Sequence, residues 1–224
     1  MSSLPDIARE FEIPHPSVGS WTKRMTDVAI ATVALVILAP LFVLGSALIR
    51  ATSRGPALFR QERVGLGGGL FTILKFRTMQ VDNDDSAHRE IVTAQLVGAT
   101  AAGTSDGVFK LENDPRVTAV GAWLRRLSLD ELPQLINVLR GEMSIVGPRP
   151  ALQMEVDLYR PRHVRRLDVK PGMTGLWQVS GRNRLSMLEM LDLDVRYVET
   201  WSPWLDLKLI ASTPAAMLRG DGAR

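Results

Sequence analysis

The chain has 224 residues, of which 46% are hydrophobic, and a formal net charge of +3 at pH 7. This length suits one domain with a substantial core and gives no reason to assume two. There is no cysteine, and the three histidines, His15, His88 and His163, are far apart in the sequence. Disulfides and thiolate chemistry are therefore excluded, a histidine metal cluster is disfavoured, and any metal needs oxygen ligands, as Mg²⁺ or Mn²⁺ does.

Residues 1–20 contain three prolines and mixed charges, and they show no hydrophobic periodicity. We predict a tail with little regular structure there. The acidic residues Asp6, Glu10 and Glu12 do not suit the basic start of a signal peptide, so a cleaved leader is not expected.

The next segment, Val28 to Ile49, has 22 residues without a charge, which is enough helix to cross a hydrocarbon core of roughly 30 Å. Pro40 lies in its middle and removes a backbone hydrogen bond, so a kink or a reversal is expected there. The positive-inside rule favours neither orientation, because basic residues flank both ends of the segment. They are Lys23 and Arg24 before it and Arg50, Arg54, Arg60 and Arg63 after it. A re-entrant helical hairpin with both ends in the cytoplasm satisfies these features, and a kinked spanning helix is the alternative.

Two short strand-like runs, Ala57 to Val64 and Leu70 to Phe76, flank a glycine-rich segment and predict a β-hairpin. A phosphate-binding loop of the P-loop type needs a helix after its glycines, whereas this chain continues as a strand. The second strand places Lys75 and Arg77 on one face. The plainest interpretation of these two charges is protection of an exposed edge strand.

Two helices are predicted after the hairpin. Asp82 to Val97 begins with acidic residues and has one apolar side, as a helix favoured by its macrodipole would. A polar insert around residues 101–107 follows. Thr118 is expected to cap a helix that runs through Leu127 and carries Trp123 inward.

The segment from Ser128 to Gln134 sets two adjacent carboxylates, Asp130 and Glu131, at the start of a short helix that Gly141 ends. In one register Asp130 is the N-cap and a proline lies in the first turn. In the other register Ser128 is the N-cap and Glu131 completes a capping box. Capping and catalysis are both open as roles for the two acids at this point.

A basic stretch from Arg160 to Lys170 is followed by a glycine-rich segment, Val169 to Arg184, which we predict to be irregular. Irregular, positively charged backbone suits a loop that wraps an anionic ligand. Ser186 and Glu189 predict a capping box.

That capping box begins a helix through Val198, and the last helix begins at Pro203. Trp201 and Trp204 at its start suit a membrane interface, with core packing as the alternative.

Two acids at a helix start, with arginines before and after them and an apolar segment upstream, suggest a phosphorylated ligand handled near a membrane. A helix N-terminus attracts phosphate, but two carboxylates there repel it unless a cation or several arginines intervene. A Mg²⁺ ion that bridges carboxylate and diphosphate resolves this conflict.

Five motifs in collinear order resemble the bacterial sugar transferase family, the monotopic polyprenyl-phosphate phosphoglycosyl transferases. The resemblance covers the chain from about Trp21 to Leu218. The motifs are the proline-broken apolar segment, Lys75 to Met79, Arg126 to Gln134, Gly147 to Pro150, and Lys170 to Gly175.

The resemblance implies transfer of a sugar-1-phosphate from a UDP-sugar to undecaprenyl phosphate with release of UMP, the first membrane step of polysaccharide or glycoconjugate assembly. It makes Asp130 the nucleophile that forms a covalent phosphosugar intermediate. Glu131 assists the lipid-phosphate step or helps Asp130 to hold Mg²⁺, with Mn²⁺ as a substitute. The implied phosphate-binding residues are Lys75, Arg77, Arg126, Arg149 and Arg182. The residues expected to shape the surrounding loops are Pro148, Pro150, Pro171, Gly172, Thr174 and Gly175.

The implied fold is an α-rich α+β membrane-associated single domain with a small β-hairpin and several short, amphipathic interfacial helices. We expect a tail over residues 1–20, a re-entrant membrane helix over 21–50 broken at Pro40, and a cytoplasmic catalytic domain over 51–224 at the bacterial inner membrane. Family members break this helix near a serine-proline pair, whereas here the pair is Ala39 and Pro40. The chain is expected to be a small form without the additional multi-helix membrane module of longer relatives.

The alternative function is that of a non-catalytic membrane-anchored protein whose basic surface binds lipid or nucleic acid. Nucleic acid is disfavoured as a partner because the basic stretch has few interleaved aromatic residues and no reading motif. The identity of the sugar and the oligomeric state, a homo-oligomer included, are left open.

Overall fold

The computed structural model describes residues 21–80, 93, 116–181 and 185–218. The predicted tail, the predicted helix from Asp82 to Val97 except for Thr93, the polar insert and Arg182 lie outside these residues. The helices are α1 (Trp21–Thr52), α2 (Ala119–Arg126), α3 (Gln134–Arg140), α4 (Gln153–Val156), α5 (Pro161–Val164), α6 (Leu176–Ser180), α7 (Met187–Thr200) and α8 (Pro203–Leu218). The strands are β1 (Leu58–Val64), β2 (Leu70–Phe76), β3 (Ser144–Val146) and β4 (Gly172–Thr174).

Helix α1 is long and apolar, and its 32 residues continue through Pro40 without an interruption. By length and composition it qualifies as a membrane helix. Its middle presents large apolar side chains to the outside, with Val36 72% and Val43 72% exposed. The break expected at Pro40 therefore does not interrupt α1.

Both ends of α1 are held by the rest of the protein. Near its start, Asp27 is buried, and its Oδ1 accepts hydrogen bonds from Ser144 Oγ and Ile145 N, both at 3.0 Å. Near its end, Gly45 and Ile49 lie against Phe76 and its apolar neighbours. Helix α1 is thus packed into the same folded body near both of its ends.

The predicted β-hairpin is confirmed. Strands β1 and β2 pair antiparallel, with Leu58 opposite Phe76 and Val64 opposite Leu70. The glycine-rich segment between them forms a 3-10 turn, in which Gly67 has a φ of 62° that favours glycine. Because β2 follows directly, the loop is not of the P-loop type.

Asn137 on α3 joins the hairpin to the core. Its Oδ1 accepts a hydrogen bond from Leu74 N at 3.0 Å, and its Nδ2 donates to Thr72 O at 2.7 Å. Behind it, the main apolar core includes Val138, Val146 and Tyr197. These contacts fix α3 relative to β2, and α3 directly follows the turn that carries the predicted acids.

The segment after Val169 is more regular than we predicted. Gly172–Thr174 forms β4, which pairs parallel with β3, and Leu176–Ser180 forms α6. The prediction of an irregular loop was therefore wrong for this part. The physical reason is a close approach: a Cβ atom added to Gly172 would lie 2.0 Å from Gly147 N, so the glycines let two backbone segments pair.

Local helix signals were mostly correct. Thr118 caps α2 by accepting from Gly121 N at 2.9 Å, and Ser186 with Glu189 forms the capping box of α7. Trp123 was predicted to point inward, which is wrong, because 46% of its surface is exposed beside α1. Of the two tryptophans near α8, Trp201 is buried and Trp204 is exposed.

Candidate active site

The two adjacent acids lie in a 3-10 turn, Leu129–Glu131, immediately before α3. Asp130 is not an N-cap, because Pro133 takes that position at α3. Ser128 is at the N-cap position of the 3-10 turn but makes no side-chain cap, so the predicted capping box does not form. The reason is the backbone at Ser128, whose φ of 54° turns the chain after α2 and delays the α-helix. Gly141 ends α3 in a left-handed conformation, as predicted.

The acidic turn is anchored by apolar contacts on both sides of the acids. Leu129 and Leu132 pack against the cluster that contains Ile49, Phe76 and Leu124. The turn therefore lies where the end of α1, strand β2 and helix α2 meet. Asp130 is half-buried in this turn.

Lys75 on β2 meets the acidic turn directly. Its Nζ lies 2.7 Å from Glu131 Oε1, with side-chain exposures of 28% for Lys75 and 37% for Glu131. A partly exposed ion pair of this kind contributes little to stability. The ion pair holds the ammonium group of Lys75 beside the acids. Lys75 and Glu131, two of the residues predicted for the site, are thus in contact.

Arg149 lies in the Gly147 to Pro150 segment and is held by a buried acid. Its Nη1 lies 3.1 Å from Oε1 of Glu155, a side chain that is only 1% exposed. Burial raises the pKa of Glu155, but the charges of Arg149, Arg63 and Arg166 outweigh it and hold the pKa below its usual value. Glu155 therefore stays ionised and fixes Arg149.

A second ion pair, which is buried, supports the Gly147 to Pro150 segment. Arg166 Nη2 donates to Asp194 Oδ2 at 2.5 Å and to Arg149 O at 2.6 Å. Arg166 also contacts the hydroxyl and the ring of Tyr159. The basic stretch thus contributes a structural arginine that supports the backbone of Arg149.

The residues predicted to shape loops meet around Arg149. Gly147 N donates to Thr174 O at 2.9 Å, and Gly172 N donates to Pro148 O at 2.8 Å. A Cβ atom on Gly175 would lie 2.5 Å from Gly147 O, so glycine is required there as well. Pro171 contributes its carbonyl, which accepts from the start of β3.

Of the other predicted residues, Arg77 and Arg126 do not join the acids in this way. Arg77 is buried, and its Nη2 donates to Ser53 O at 3.1 Å and to Ser53 Oγ at 2.8 Å, so it holds the end of α1. Arg126 is exposed in the last turn of α2. Arg182 lies outside the described residues.

Arg63, one of the basic residues that flank the apolar segment, was not predicted as a site residue. It lies at the end of β1, and its Nη1 donates to Pro150 O at 3.2 Å. Burial and the charge of Arg149 lower the pKa of Arg63 to about 10, while the charges of Glu155 and Glu131 raise it. Arg63 is therefore within electrostatic reach of both Arg149 and the acidic turn. Its place at a strand end beside the glycines was the available signal.

The described residues hold no group of three or more histidine or acidic side chains that would form a protein-only metal site. The acidic turn offers two carboxylates, from Asp130 and Glu131, one of which is paired with Lys75. This donor set fits Mg²⁺, which is commonly held by one or two carboxylates together with substrate phosphates and water.

Comparison with known proteins adds independent findings. The sequence profile described as "Bacterial sugar transferase" matches residues 18–220. The chain is 43% identical over 227 residues to the exopolysaccharide production protein ExoY of Rhizobium meliloti (strain 1021), covering 99% of each protein. It is 44% identical over 203 residues to the undecaprenyl-phosphate galactose phosphotransferase of Salmonella typhimurium, covering 90% of this chain and 41% of that protein.

A third relative is the UDP-glucose:undecaprenyl-phosphate glucose-1-phosphate transferase of Caulobacter vibrioides. It is 42% identical over 209 residues, covering 90% of this chain and 71% of the relative. The similarity thus extends over nearly the whole of this chain, and it spans less than half of the Salmonella typhimurium protein.

Proposed function

The chain belongs to the bacterial sugar transferase family, and we propose that it transfers a sugar-1-phosphate from a UDP-sugar to undecaprenyl phosphate and releases UMP. The observation that carries this proposal is the pairing of Lys75 with Glu131, next to Asp130, in a turn packed against the membrane helix. The relatives named for a galactose phosphotransferase and a glucose-1-phosphate transferase support the same chemistry. The reaction would begin polysaccharide or glycoconjugate assembly.

The first half-reaction uses Asp130 as the nucleophile. A carboxylate oxygen of Asp130 attacks the phosphorus that carries the sugar, and the bond from that phosphorus to the oxygen bridging the two phosphates breaks. UMP leaves with the electron pair of that bond, and the sugar phosphate remains esterified to Asp130. A covalent intermediate divides one difficult transfer into two easier steps.

The second half-reaction uses the lipid. A phosphate oxygen of undecaprenyl phosphate attacks the same phosphorus, and the bond to the Asp130 oxygen breaks. The products are the sugar diphospho-lipid and a regenerated carboxylate. Because UMP leaves before the lipid reacts, ping-pong kinetics is expected.

The basic residues provide the charge that phosphoryl transfer needs, since catalysis of this reaction depends mainly on positioning and neutralisation. Lys75 is held at the acids by Glu131, and Arg149 is fixed by Glu155 and supported by Arg166. Asp130 and Glu131 are the residues that would hold Mg²⁺, which when bound neutralises charge on the diphosphate.

The packing of α1 supports the proposal that both of its ends lie at the cytoplasmic face. Asp27 near its start and Ile49 near its end are both buried in one folded body. The 22 positions from Asp27 to Ile49 correspond to about 33 Å of continuous helix, so the folded body extends along α1. A spanning helix would place its two ends on opposite sides of the hydrocarbon core, where one folded body could not bury both. The exposed apolar middle of α1 would instead enter the membrane from the side where the catalytic residues lie.

The experiment that tests this function is a UMP-release assay with the purified protein, undecaprenyl phosphate, Mg²⁺ and a panel of UDP-sugars. UMP release that depends on one UDP-sugar supports the proposal and identifies the sugar. The non-catalytic alternative requires that folded protein release no UMP from any of them.

A further inference from the structure

Arg63 is a partly buried cation whose hydrogen-bond partners are all neutral. Its Nη1 donates to Pro150 O at 3.2 Å and its Nη2 to Gln61 Oε1 at 2.6 Å. Its Nε is buried and has no hydrogen-bond partner within the described part of the chain. Within the same described residues, no carboxylate oxygen lies within 4.0 Å of a guanidinium nitrogen of Arg63, which is the limit for an ion pair. Arg63 thus carries a charge that no neighbouring acid pairs directly.

The surroundings of Arg63 have more positive than negative charge. Arg63, Arg149 and Arg166 form an arginine cluster with two acids, Glu155 and Asp194. Glu155 is paired with Arg149, and Asp194 is paired with Arg166. Both acids therefore form ion pairs with the other two arginines, and neither pairs with Arg63.

Two further groups act electrostatically on Arg63, and neither pairs with it: Glu131 forms an ion pair with Lys75, and Tyr159 is neutral. Burial raises the pKa of Tyr159 to about 12, so its phenol is neutral at physiological pH. The arginine cluster keeps one unpaired positive charge, located at Arg63.

An unpaired, partly desolvated cation beside another arginine is unfavourable for the folded protein, and such arrangements are concentrated at sites that bind ligands. Here both burial and the repulsion from Arg149 act against the charged form of Arg63. The Arg149 side chain is 33% exposed, so the arginine cluster can be reached from outside. An anion bound there would relieve the repulsion between the two guanidinium groups.

We propose that Arg63 is a phosphate-binding residue, which together with Arg149 receives a second phosphate group while Lys75 serves the phosphate at Asp130. This inference rests on the proposed function. The expected ligand is a phosphate monoester dianion, because guanidinium pairs bind phosphate oxygens in a fixed planar geometry. The reaction offers two sources for such a group, the leaving nucleotide and the lipid phosphate.

The test measures binding by the full-length protein in detergent, using isothermal titration calorimetry. The probes are UMP against uridine, and farnesyl phosphate against farnesol, so each pair differs only in the phosphate. The variants are Arg63→Gln and Arg63→Lys, with Arg60→Gln as the matched control, because Arg60 is exposed on the same strand.

We expect Arg63→Gln to weaken binding of UMP or of farnesyl phosphate by about tenfold or more, which is the range for a hydrogen bond to a charged group. Binding of the phosphate-free partner should be unchanged, Arg63→Lys should retain part of the affinity, and Arg60→Gln should resemble the wild type. The probe that binds more weakly to Arg63→Gln, UMP or farnesyl phosphate, identifies whether the phosphate group comes from the nucleotide or from the lipid. A change in protein packing alone would weaken both members of a pair equally.

The proposal is overturned if Arg63→Gln leaves both phosphates bound as in the wild type, if it weakens the phosphate-free probes to the same extent, or if the wild type binds neither phosphate. Failure of the proposed function is distinguishable from this result. It would appear as a wild-type protein that binds UMP through Arg63 and yet releases no UMP from any UDP-sugar.

Discussion

Lys75 Nζ and Glu131 Oε1 lie 2.7 Å apart, and this ion pair joins the β-hairpin to the turn that carries Asp130. The two residues are 56 positions apart in the sequence. Their contact places a cation beside the proposed nucleophile before any substrate is bound. It also gives Glu131 a definite structural partner, which the sequence alone did not.

Loss of Lys75 should impair the chemistry. Lys75→Gln is expected to lower kcat/KM for UMP release by roughly one-hundredfold, as loss of one preorganised charge typically does. Glu131→Gln should also be impaired, and the double variant should lose less than the product of the two single losses because the residues act as a pair. Steady-state kinetics measures this, with Arg60→Gln as a control; strictly multiplicative losses would contradict the pairing.

Removal of divalent cations should stop the reaction. Two adjacent carboxylates repel a diphosphate unless a cation intervenes, and the donor set of Asp130 and Glu131 suits Mg²⁺. UMP release should fall to background in excess EDTA and recover when Mg²⁺ is added back. Full activity in EDTA would refute the assignment of a metal to these acids.

Both ends of α1 should be reachable from the same side of the membrane. The chain has no cysteine, so single cysteines can be introduced without a background of native thiols. Thr22→Cys and Thr52→Cys lie at exposed positions at the two ends of α1. A membrane-impermeant maleimide should leave both unlabelled in intact cells and label both in inverted vesicles. Labelling of Thr22→Cys from outside would restore the spanning helix.

Glu155 should make the fold sensitive to acid. Its pKa is held below the usual value in the folded protein, so it contributes stability that is present above the unfolded pKa and lost as pH falls through the folded pKa. Glu155→Gln should lower stability at neutral pH by about 1–3 kcal/mol, because it removes the buried carboxylate that binds the partly exposed Arg149. The free energy of unfolding of this variant should also change less than that of the wild type as the pH becomes acidic.

Chemical denaturation between neutral and acidic pH measures the effect of Glu155→Gln. Asp157→Asn is a suitable control, because Asp157 is an exposed acid two residues away. If the free energy of unfolding of Glu155→Gln fell at acidic pH as steeply as that of the wild type, groups other than Glu155 would control the acid sensitivity.

The features that were predictable from the sequence depend on neighbours in the chain. Thr118, the Ser186 and Glu189 capping box and the strands around the glycines all act over a few residues, and all were found as expected. The family and the enzyme class, a phosphoglycosyl transferase, were also predicted correctly from collinear motifs.

The features that were missed depend on contacts between distant residues. The bond from Arg63 to Pro150 joins residues 87 positions apart, and the bond from Ser144 to Asp27 joins residues 117 apart. No periodicity or cap signals such a contact. The left-handed Ser128 is similar, because the packing of the leucines beside the acids favours a 3-10 turn over the capped helix that propensity suggests.

The most direct test of the central claim is a trapping experiment with a UDP-sugar labelled at the phosphate next to the sugar, in the absence of lipid acceptor. The wild type should release one equivalent of UMP and retain one equivalent of label on the protein, and undecaprenyl phosphate should then remove the label. Asp130→Asn should retain none while folding normally. A labelled adduct on Asp130→Asn, or UMP release by the wild type without any adduct, would contradict the assignment of Asp130 as the nucleophile.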